Sequence, residues 1–424
     1  MPKKKSALFM TVGLGGKTQE RIDSLAHGML DTILEGNFDY VVLFGSEKSK
    51  STIKSLKRQY HEKFNEEFDY YEFVQDDNIN DFNSYYETIR SKVLELQNEY
   101  AIKINYTPGT KTMSISAAIA SLVFRKKLRL IDGHRGDEPT VQPGTERHVD
   151  FGLYVVYDEV LIRRIKQAFN YNQYHLGKLL IDELTGENEN KNNYHTLFDI
   201  YSNWDNINFE KAQSYFKDGF NSKFPELSKQ LGLNKKALHF INPIEKKEGT
   251  VIRDKNYEYY ILASLINNAE RRFDEKKYDD AIARLYRSLE YIGQIRLKEY
   301  GIDNTENVEV SKLEELNTSQ KFLDDLKEKV NDEETFKSGL DQNFQILNAL
   351  GDDLGKYFDQ NQKKIRGLLR SRNYSILAHG LESKTPKEYL DLKEIVMVFA
   401  CKLHNDMENF IFETKFPKFK IKNF

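Results

Sequence analysis

The chain has 424 residues, enough for two or three domains, and its 39% hydrophobic and 30% charged content suits helix-rich globular domains. Its 63 basic and 66 acidic residues leave a formal charge of −3. That excludes a protein that coats a long polyanion, so any bound nucleic acid is held at a small site. The single Cys401 excludes intramolecular disulfides and cysteine-rich zinc clusters and fits a reducing cytoplasm.

Residues 1–158 alternate strand-like and helix-like patterns. No secretory signal is visible, and no run approaches the roughly 18 apolar residues of a membrane span. Lys3, Lys4 and Lys5 read as a solubilising end. Ser6–Gly13 is a first buried strand, followed by a helix whose apolar positions run Ile22, Leu25, Ala26, Met29, Leu30 and Ile33. Further strands are expected at Tyr40–Ser46, Asp69–Val74, Ile102–Tyr106 and Lys127–Asp132. Helices over Phe82–Tyr100 and Thr110–Phe124 lie between the later ones, the second rich in small residues that permit close packing on a sheet. This alternation predicts a parallel sheet wrapped by helices, a Rossmann-like α/β domain. A sixth strand, Val149–Tyr157, has no helix before it and is expected antiparallel at an edge.

Two turns follow the first and fourth strands, Thr11-Val12-Gly13-Leu14-Gly15-Gly16-Lys17-Thr18 and Asn105-Tyr106-Thr107-Pro108-Gly109-Thr110-Lys111-Thr112-Met113. Ligands of open α/β sheets sit at such carboxyl ends, where glycines admit a phosphate to backbone N–H groups and a helix N-terminus adds positive potential. Thr110 is placed to cap the following helix and Lys111 to add a mobile charge. Neither turn completes a dinucleotide fingerprint or a Walker loop: Thr18 stands where a third glycine is needed, and no glycine precedes Gly109 by five residues. The second turn resembles the Asn-x-Thr-Gly-Gly-Thr-Lys-x-Met signature of CARF domains, the CRISPR-associated Rossmann-type sensors, with Pro108 in place of the first glycine. That resemblance implies a cyclic oligoadenylate activator at Thr11, Gly13, Gly15, Gly16, Asn105, Thr107, Gly109, Thr110 and Lys111. His134, after the fifth strand, either lines the same pocket or is a loop histidine with no role.

Residues 159–250 read as a helical connector, broken by the polar stretch Gly186–Asn193. From 251 to 424 an all-α domain is expected. Tyr278, Ala281, Ile282, Leu285, Leu289 and Ile292 form one core-facing stripe, residues 303–343 an acidic excursion, and Tyr389–Phe412 a last long helix with Leu392, Ile395, Val396 and Phe399 inward. Between these lies Arg372-Asn373-Tyr374-Ser375-Ile376-Leu377-Ala378-His379-Gly380. On a helix Arg372 and His379 would share a face about 10 Å apart, too far for one pair to grip a phosphate but suited to two pairs facing across a dimer. Arginine suits a phosphate oxygen and histidine moves a proton near neutral pH. Spacing alone also describes an ordinary solvated face.

The run resembles the arginine–four-to-six–histidine motif of HEPN ribonucleases, in the form found in CRISPR-associated members. Tyr278–Glu290 is similar to the first long helix of that domain. A CARF domain, helices and a HEPN domain in this order resemble the accessory ribonucleases of type III CRISPR systems. The resemblance implies a homodimer that cuts single-stranded RNA when activated, without a metal, through Arg372, Asn373 and His379, leaving 2′,3′-cyclic phosphate and 5′-hydroxyl ends. Loose sequence selectivity is expected, because no dedicated base-recognition module is legible. His27 and His404 are expected to be structural, and no metal is expected. Two rivals stand beside this reading: a nucleotide sensor without nuclease activity, and an enzyme that hydrolyses its own bound nucleotide.

Overall fold

The computed structural model describes residues 4–134, 141–186, 188–247, 250–326, 331, 334–373 and 381–421. They form two compact units, Met1–Val160 and Leu161–Phe424.

The first unit is the expected α/β domain. Its strands are β1 (Lys5–Val12), β2 (Tyr40–Gly45), β3 (Tyr71–Gln75), β4 (Tyr100–Asn105), β5 (Lys127–Asp132) and β6 (Arg147–Phe151), ordered β3-β2-β1-β4-β5-β6. All neighbours are parallel except β6, which runs antiparallel to β5 at the edge. The helices are α1 (Gln19–Gly36), α2 (Lys50–Phe64), α3 (Phe82–Leu96) and α4 (Lys111–Val123).

Period-two alternation divides the apolar strands between two cores. Leu8, Met10, Val12, Val41 and Leu43 face Ala26, Met29, Leu30 and Ile33 of α1 and Ile53 and Leu56 of α2. Ala7, Phe9, Val42, Phe44, Ile102 and Ile104 face Tyr85 and Ile89 of α3 and Met113, Ala117 and Ala120 of α4. Each fully buried large side chain contributes about 1.5–3 kcal/mol. The small residues of α4 bring it close to the sheet. Its other face leaves Ile115, Ile119 and Val123 exposed by 56%, 37% and 50%, one turn apart on one stripe.

The sixth strand is shorter than expected. It stops at Phe151, and α5 (Tyr154–Asn170) begins where the apolar residues Val155 and Val156 had suggested more strand. Helix wins because Leu161, Ile165, Ala168 and Phe169 form a buried stripe with the 3.6-residue period.

The second unit is helical. After α5 come α6 (Tyr174–Glu183), α7 (Lys191–Asp205), α8 (Phe209–Tyr215) and α9 (Ser228–Ile241). Two short strands, Glu245–Lys247 and Thr250–Ile252, pair antiparallel where only helix was expected. Then follow α10 (Tyr257–Asp274), α11 (Tyr278–Glu299), α12 (Val310–Glu315), α13 (Gln320–Leu326), α14 (Leu340–Ala349), α15 (Asp353–Gln360), α16 (Gln362–Asn373), α17 (Pro386–Leu403) and α18 (Met407–Glu413). The expected last helix is thus two. His404 is extended at φ −151° and ψ 131°, its ring lies 4.4 Å from that of Tyr259, and its Nδ1 accepts the Asp406 N–H at 3.1 Å. Ala281, Ile282, Leu285, Leu289 and Ile292 of α11 and Leu392, Ile395, Val396 and Phe399 of α17 are buried as expected.

The end of α18 and the segment after it strap the early helices to the late ones. Asn170 of α5 donates to the Phe419 carbonyl at 2.9 Å and accepts its N–H at 2.8 Å. Asn234 of α9 donates to the carbonyls of Glu413 and Lys415, and Asn267 of α10 to that of Ile411. Phe416 packs 4.6 Å from Tyr201 and 5.3 Å from Trp204, while the Phe419 ring lies 5.4 Å from Phe169.

Candidate functional site

The strand order reverses between β1 and β4, so the crevice outside their carboxyl ends is the expected ligand position of this topology. Both sequence-predicted turns lie there and interlock. The Gly13 N–H donates to the Pro108 carbonyl at 2.7 Å, and a Cβ at position 13 would stand 2.6 Å from that oxygen. A Cβ at position 109 would stand 2.6 Å from Thr11 Oγ1 and 2.8 Å from Thr11 Cβ. Gly15 has φ +70°, a conformation that favours glycine. Gly16 follows directly, against the Arg21 side chain of α1.

The remaining predicted residues divide by role. Asn105 is fully buried. Its Oδ1 accepts the Thr107 N–H at 2.9 Å, and its Nδ2 approaches Thr32 Oγ1 at 3.5 Å. Thr107 Oγ1 accepts the Ile131 N–H at 3.0 Å and so ties the turn to β5. These two side chains shape the turn. Thr110 caps α4, its Oγ1 accepting the Met113 N–H at 3.4 Å. Lys111, the first residue of α4, is exposed. Thr11 Oγ1 is buried and makes no hydrogen bond among the described residues. The crevice therefore offers a helix N-terminus and an exposed cation. Lys17, which spacing did not single out, is a second exposed cation two residues before α1.

His134 ends the described part of the turn after β5 on the same edge of the sheet. Its N–H donates to Thr145 Oγ1 at 3.1 Å, its carbonyl accepts the Gln142 N–H at 2.9 Å, and its side chain is exposed. A ladder along α1 holds the return of this loop. His27 meets Glu146 at 2.8 Å, Asp31 meets His148 at 2.8 Å, and Glu35 meets Arg129, which also binds Asp150 at 2.7 Å. Positions 27, 31 and 35 share one helix face, 148 and 150 share one face of β6 and 146 lies just before it, so the two periods mesh. Burial raises the Asp150 carboxyl, but hydrogen bonds from Arg129 and Lys103 outweigh it and hold the group at about 2. His27 is thus held by the Glu146 carboxylate, and no ladder rung was legible in the sequence. Among the described residues no group of three or more His, Cys, Asp or Glu side chains comes together as a metal would require.

In the helical unit α16 carries Arg372 and Asn373 in its last described turn. His379, and with it the two-turn spacing from Arg372, lies outside the described residues. Two features fix α16. Ile365 and Leu369 are buried one turn apart. Arg366 makes a bidentate pair with Asp341 of α14, at 2.8 and 2.7 Å.

Two family models match the helical part: a Csm6 6H domain over residues 157–242 and a Csm6 HEPN domain over 250–402. No curated protein matches the chain. Among solved structures, Enterococcus italicus Csm6 bound to cyclic hexa-2'-fluoro-hexa-dAMP is similar with a TM-score of 0.63 at 15% identity, over 96% of this chain and 98% of that one. At that identity the likeness is one of fold, an α/β sheet domain followed by helices.

Proposed function

The chain belongs to the Csm6 family, and from that premise we propose that it is a cyclic-oligoadenylate-activated, metal-independent endoribonuclease of type III CRISPR defence. The observation that carries the activator half of this reading is the interlocked pair of turns at the β1–β4 crevice. A ring of phosphates suits the N-terminus of α4, Lys111 and Lys17. The similar Enterococcus italicus Csm6 is bound to a cyclic hexanucleotide analogue, which favours a ligand of this class. In this reading residues 1–158 are the sensor, 159–250 the connector and 251–424 the nuclease.

The active unit is a homodimer. The exposed stripe of Ile115, Ile119 and Val123 supports this, because it continues from Lys111 at the same helical period. A second copy laid on that stripe would bring a second Lys111 towards the same ring. Cleavage of single-stranded RNA rests on Arg372, Asn373 and His379. Arg372 neutralises the scissile phosphate and the charge that develops on it. His379 moves a proton at the attacking 2′-hydroxyl or at the departing 5′-oxygen, and Asn373 orients one of these groups. The bond that forms joins the 2′-oxygen to phosphorus and the bond that breaks is to the 5′-oxygen. The products are a 2′,3′-cyclic phosphate and a 5′-hydroxyl.

The test is incubation with cyclic tri-, tetra- and hexa-adenylate and a labelled RNA, with and without EDTA, beside His379→Ala and Arg372→Ala. Activator-dependent cleavage that survives EDTA and falls roughly 10²–10⁴-fold in either variant is the expected result. Full activity in His379→Ala would refute the mechanism. Ligand turnover with intact RNA would favour an enzyme acting on its own activator.

A further inference from the structure

A cavity of about 730 Å³ opens on the helical unit between α9 and the end of α8. Gly232, Lys235, Lys236 and His239 line it from α9 at positions i, i+3, i+4 and i+7, so they form one face of that helix. The other side of α9 is buried through Leu231, Asn234, Ala237, Leu238 and Ile241. Gln213 of α8 and Lys217 just after it stand on the facing wall. An added Cβ at position 232 would meet nothing closer than Asn221 Nδ2 at 3.5 Å, so the glycine leaves that end of the floor clear.

The charge here opposes that of the whole chain. Residues 209–241 hold six lysines against the three carboxylates Glu210, Asp218 and Glu226, a local balance of +3 in a chain of −3. Asp218 is the one carboxylate among the described residues that line the cavity. It meets Lys235 at 2.6 Å and is fully exposed, and an ion pair in solvent exchanges partners at little cost. Lys217 and His239 are exposed and, among the described residues, in no ion pair. Lys236 meets Glu413 of α18 at 2.9 Å, and Glu413 also accepts the Tyr260 hydroxyl of α10 at 2.5 Å, which anchors the stripe. Lysine is a compact charge that suits a phosphate oxygen. Carboxylate recognition favours the planar fork of arginine, and no arginine is among the described lining residues. No exposed large apolar side chain lines the cavity either, as a membrane surface or an amphipathic partner helix would need.

We propose that this cavity holds the phosphate backbone of the single-stranded RNA substrate, apart from the site of Arg372, Asn373 and His379. The stripe from Gly232 to His239 is about 10 Å long at 1.5 Å per residue, so more than one phosphate of a strand fits along it. Contacts to phosphate carry no sequence information, so the site holds any sequence alike. The proposal rests on the ribonuclease reading above. The site adds affinity for the substrate without touching the reacting atoms. A chain of net negative charge thereby gathers a polyanion at one face of its connector.

The test is fluorescence anisotropy with a 2′-O-methyl RNA, which cannot be cut, over a series of salt concentrations. In Lys217→Gln/Lys235→Gln/Lys236→Gln affinity should fall at least about tenfold at low salt, the scale of a hydrogen bond to a charged group. The slope of log affinity against log salt should shrink by about 2, at roughly 0.7 for each phosphate contact on a single strand. Lys217→Gln alone, outside any helix and harmless to folding, should shrink it by about 0.7. Arginine at all three positions should restore both. Lys211→Gln/Lys223→Gln/Lys229→Gln removes the same charge from exposed positions outside the cavity and should leave the slope unchanged. In activated cleavage the first variant should raise KM and spare kcat. An unchanged slope in the first variant, or an equal loss in the second, would overturn the site. Displacement of the RNA by polyglutamate at equal charge would assign the cavity to an acidic protein and overturn it too. Wild-type protein that binds RNA with this slope yet cuts none would sink the nuclease and keep the site.

Discussion

A single methyl group at position 109 tests how the sensor crevice is built. In Gly109→Ala the new Cβ would lie 2.6 Å from Thr11 Oγ1 and 2.8 Å from Thr11 Cβ, and Thr11 is only 1% exposed. Ordinary contacts need about 3.4 Å or more, so one of the two turns must move by several tenths of an ångström. Overpacking of a filled site costs about 1–3 kcal/mol. For a unit of this size that lowers the unfolding midpoint by about 2–12 °C. The shift also tilts the backbone that holds Lys111 and the first N–H groups of α4, so activator binding should weaken with stability. The double variant Thr11→Ala/Gly109→Ala removes the closest atom and should recover part of the midpoint, but not all, because the Cβ contact remains. The assays are thermal unfolding by circular dichroism and calorimetric titration with cyclic hexa-adenylate. An unchanged midpoint together with unchanged binding in Gly109→Ala would refute the interlock as the frame of the site.

Lys111→Ala should raise the activator concentration needed for half-maximal RNA cleavage by roughly tenfold, the scale of one hydrogen bond to a charged group, and should flatten its salt dependence. An unshifted activation curve would remove Lys111 from the site. The Asp150 carboxyl is held at about 2, below its unfolded value near 3.9. Its contribution is therefore complete above that unfolded value and disappears as pH falls through about 2, and Asp150→Asn should flatten the unfolding midpoint across that window. Ile115→Asp places a charge on the exposed stripe of α4 and should shift light scattering from dimer towards monomer at equal concentration. Phe419→Ala empties a ring position that is 4% exposed and should cost about 3–5 kcal/mol in urea unfolding.

The parallel strands were legible because each is a short apolar run bounded by turn residues, as in Tyr40–Gly45. So was the crevice, since it follows from which strands end in glycine. Two element ends were not. The apolar positions Val396, Phe399, Ala400, Leu403, Met407 and Phe410 keep a helical period straight through the break at His404, which is made by a ring contact with Tyr259. Val155 and Val156 read as strand, yet the pattern that decides begins at Leu161. Contacts between distant residues were hidden altogether. Glu146 and His148 are 119 and 117 residues from their partners on α1, and local spacing carries no trace of such pairs. Asn105 and Thr107 were singled out by the turn motif, and their part as the scaffold of that turn was not legible. Arg372 and His379 were singled out by a motif alone, and His379 lies outside the described residues.

The strap around Phe416 and Phe419 also sets a timetable for synthesis. Asn170 and Phe419 are 249 residues apart in the chain, yet each supplies the other with both a donor and an acceptor. A ribosome adding roughly 5–20 residues per second needs about 10–50 s to deliver the second partner after the first. Throughout that interval Phe169, Tyr201 and Trp204 lack the rings that finally cover them. The early helices are thus exposed to aggregation while the later ones are being made, and a chaperone that masks aromatic surface would act during this wait.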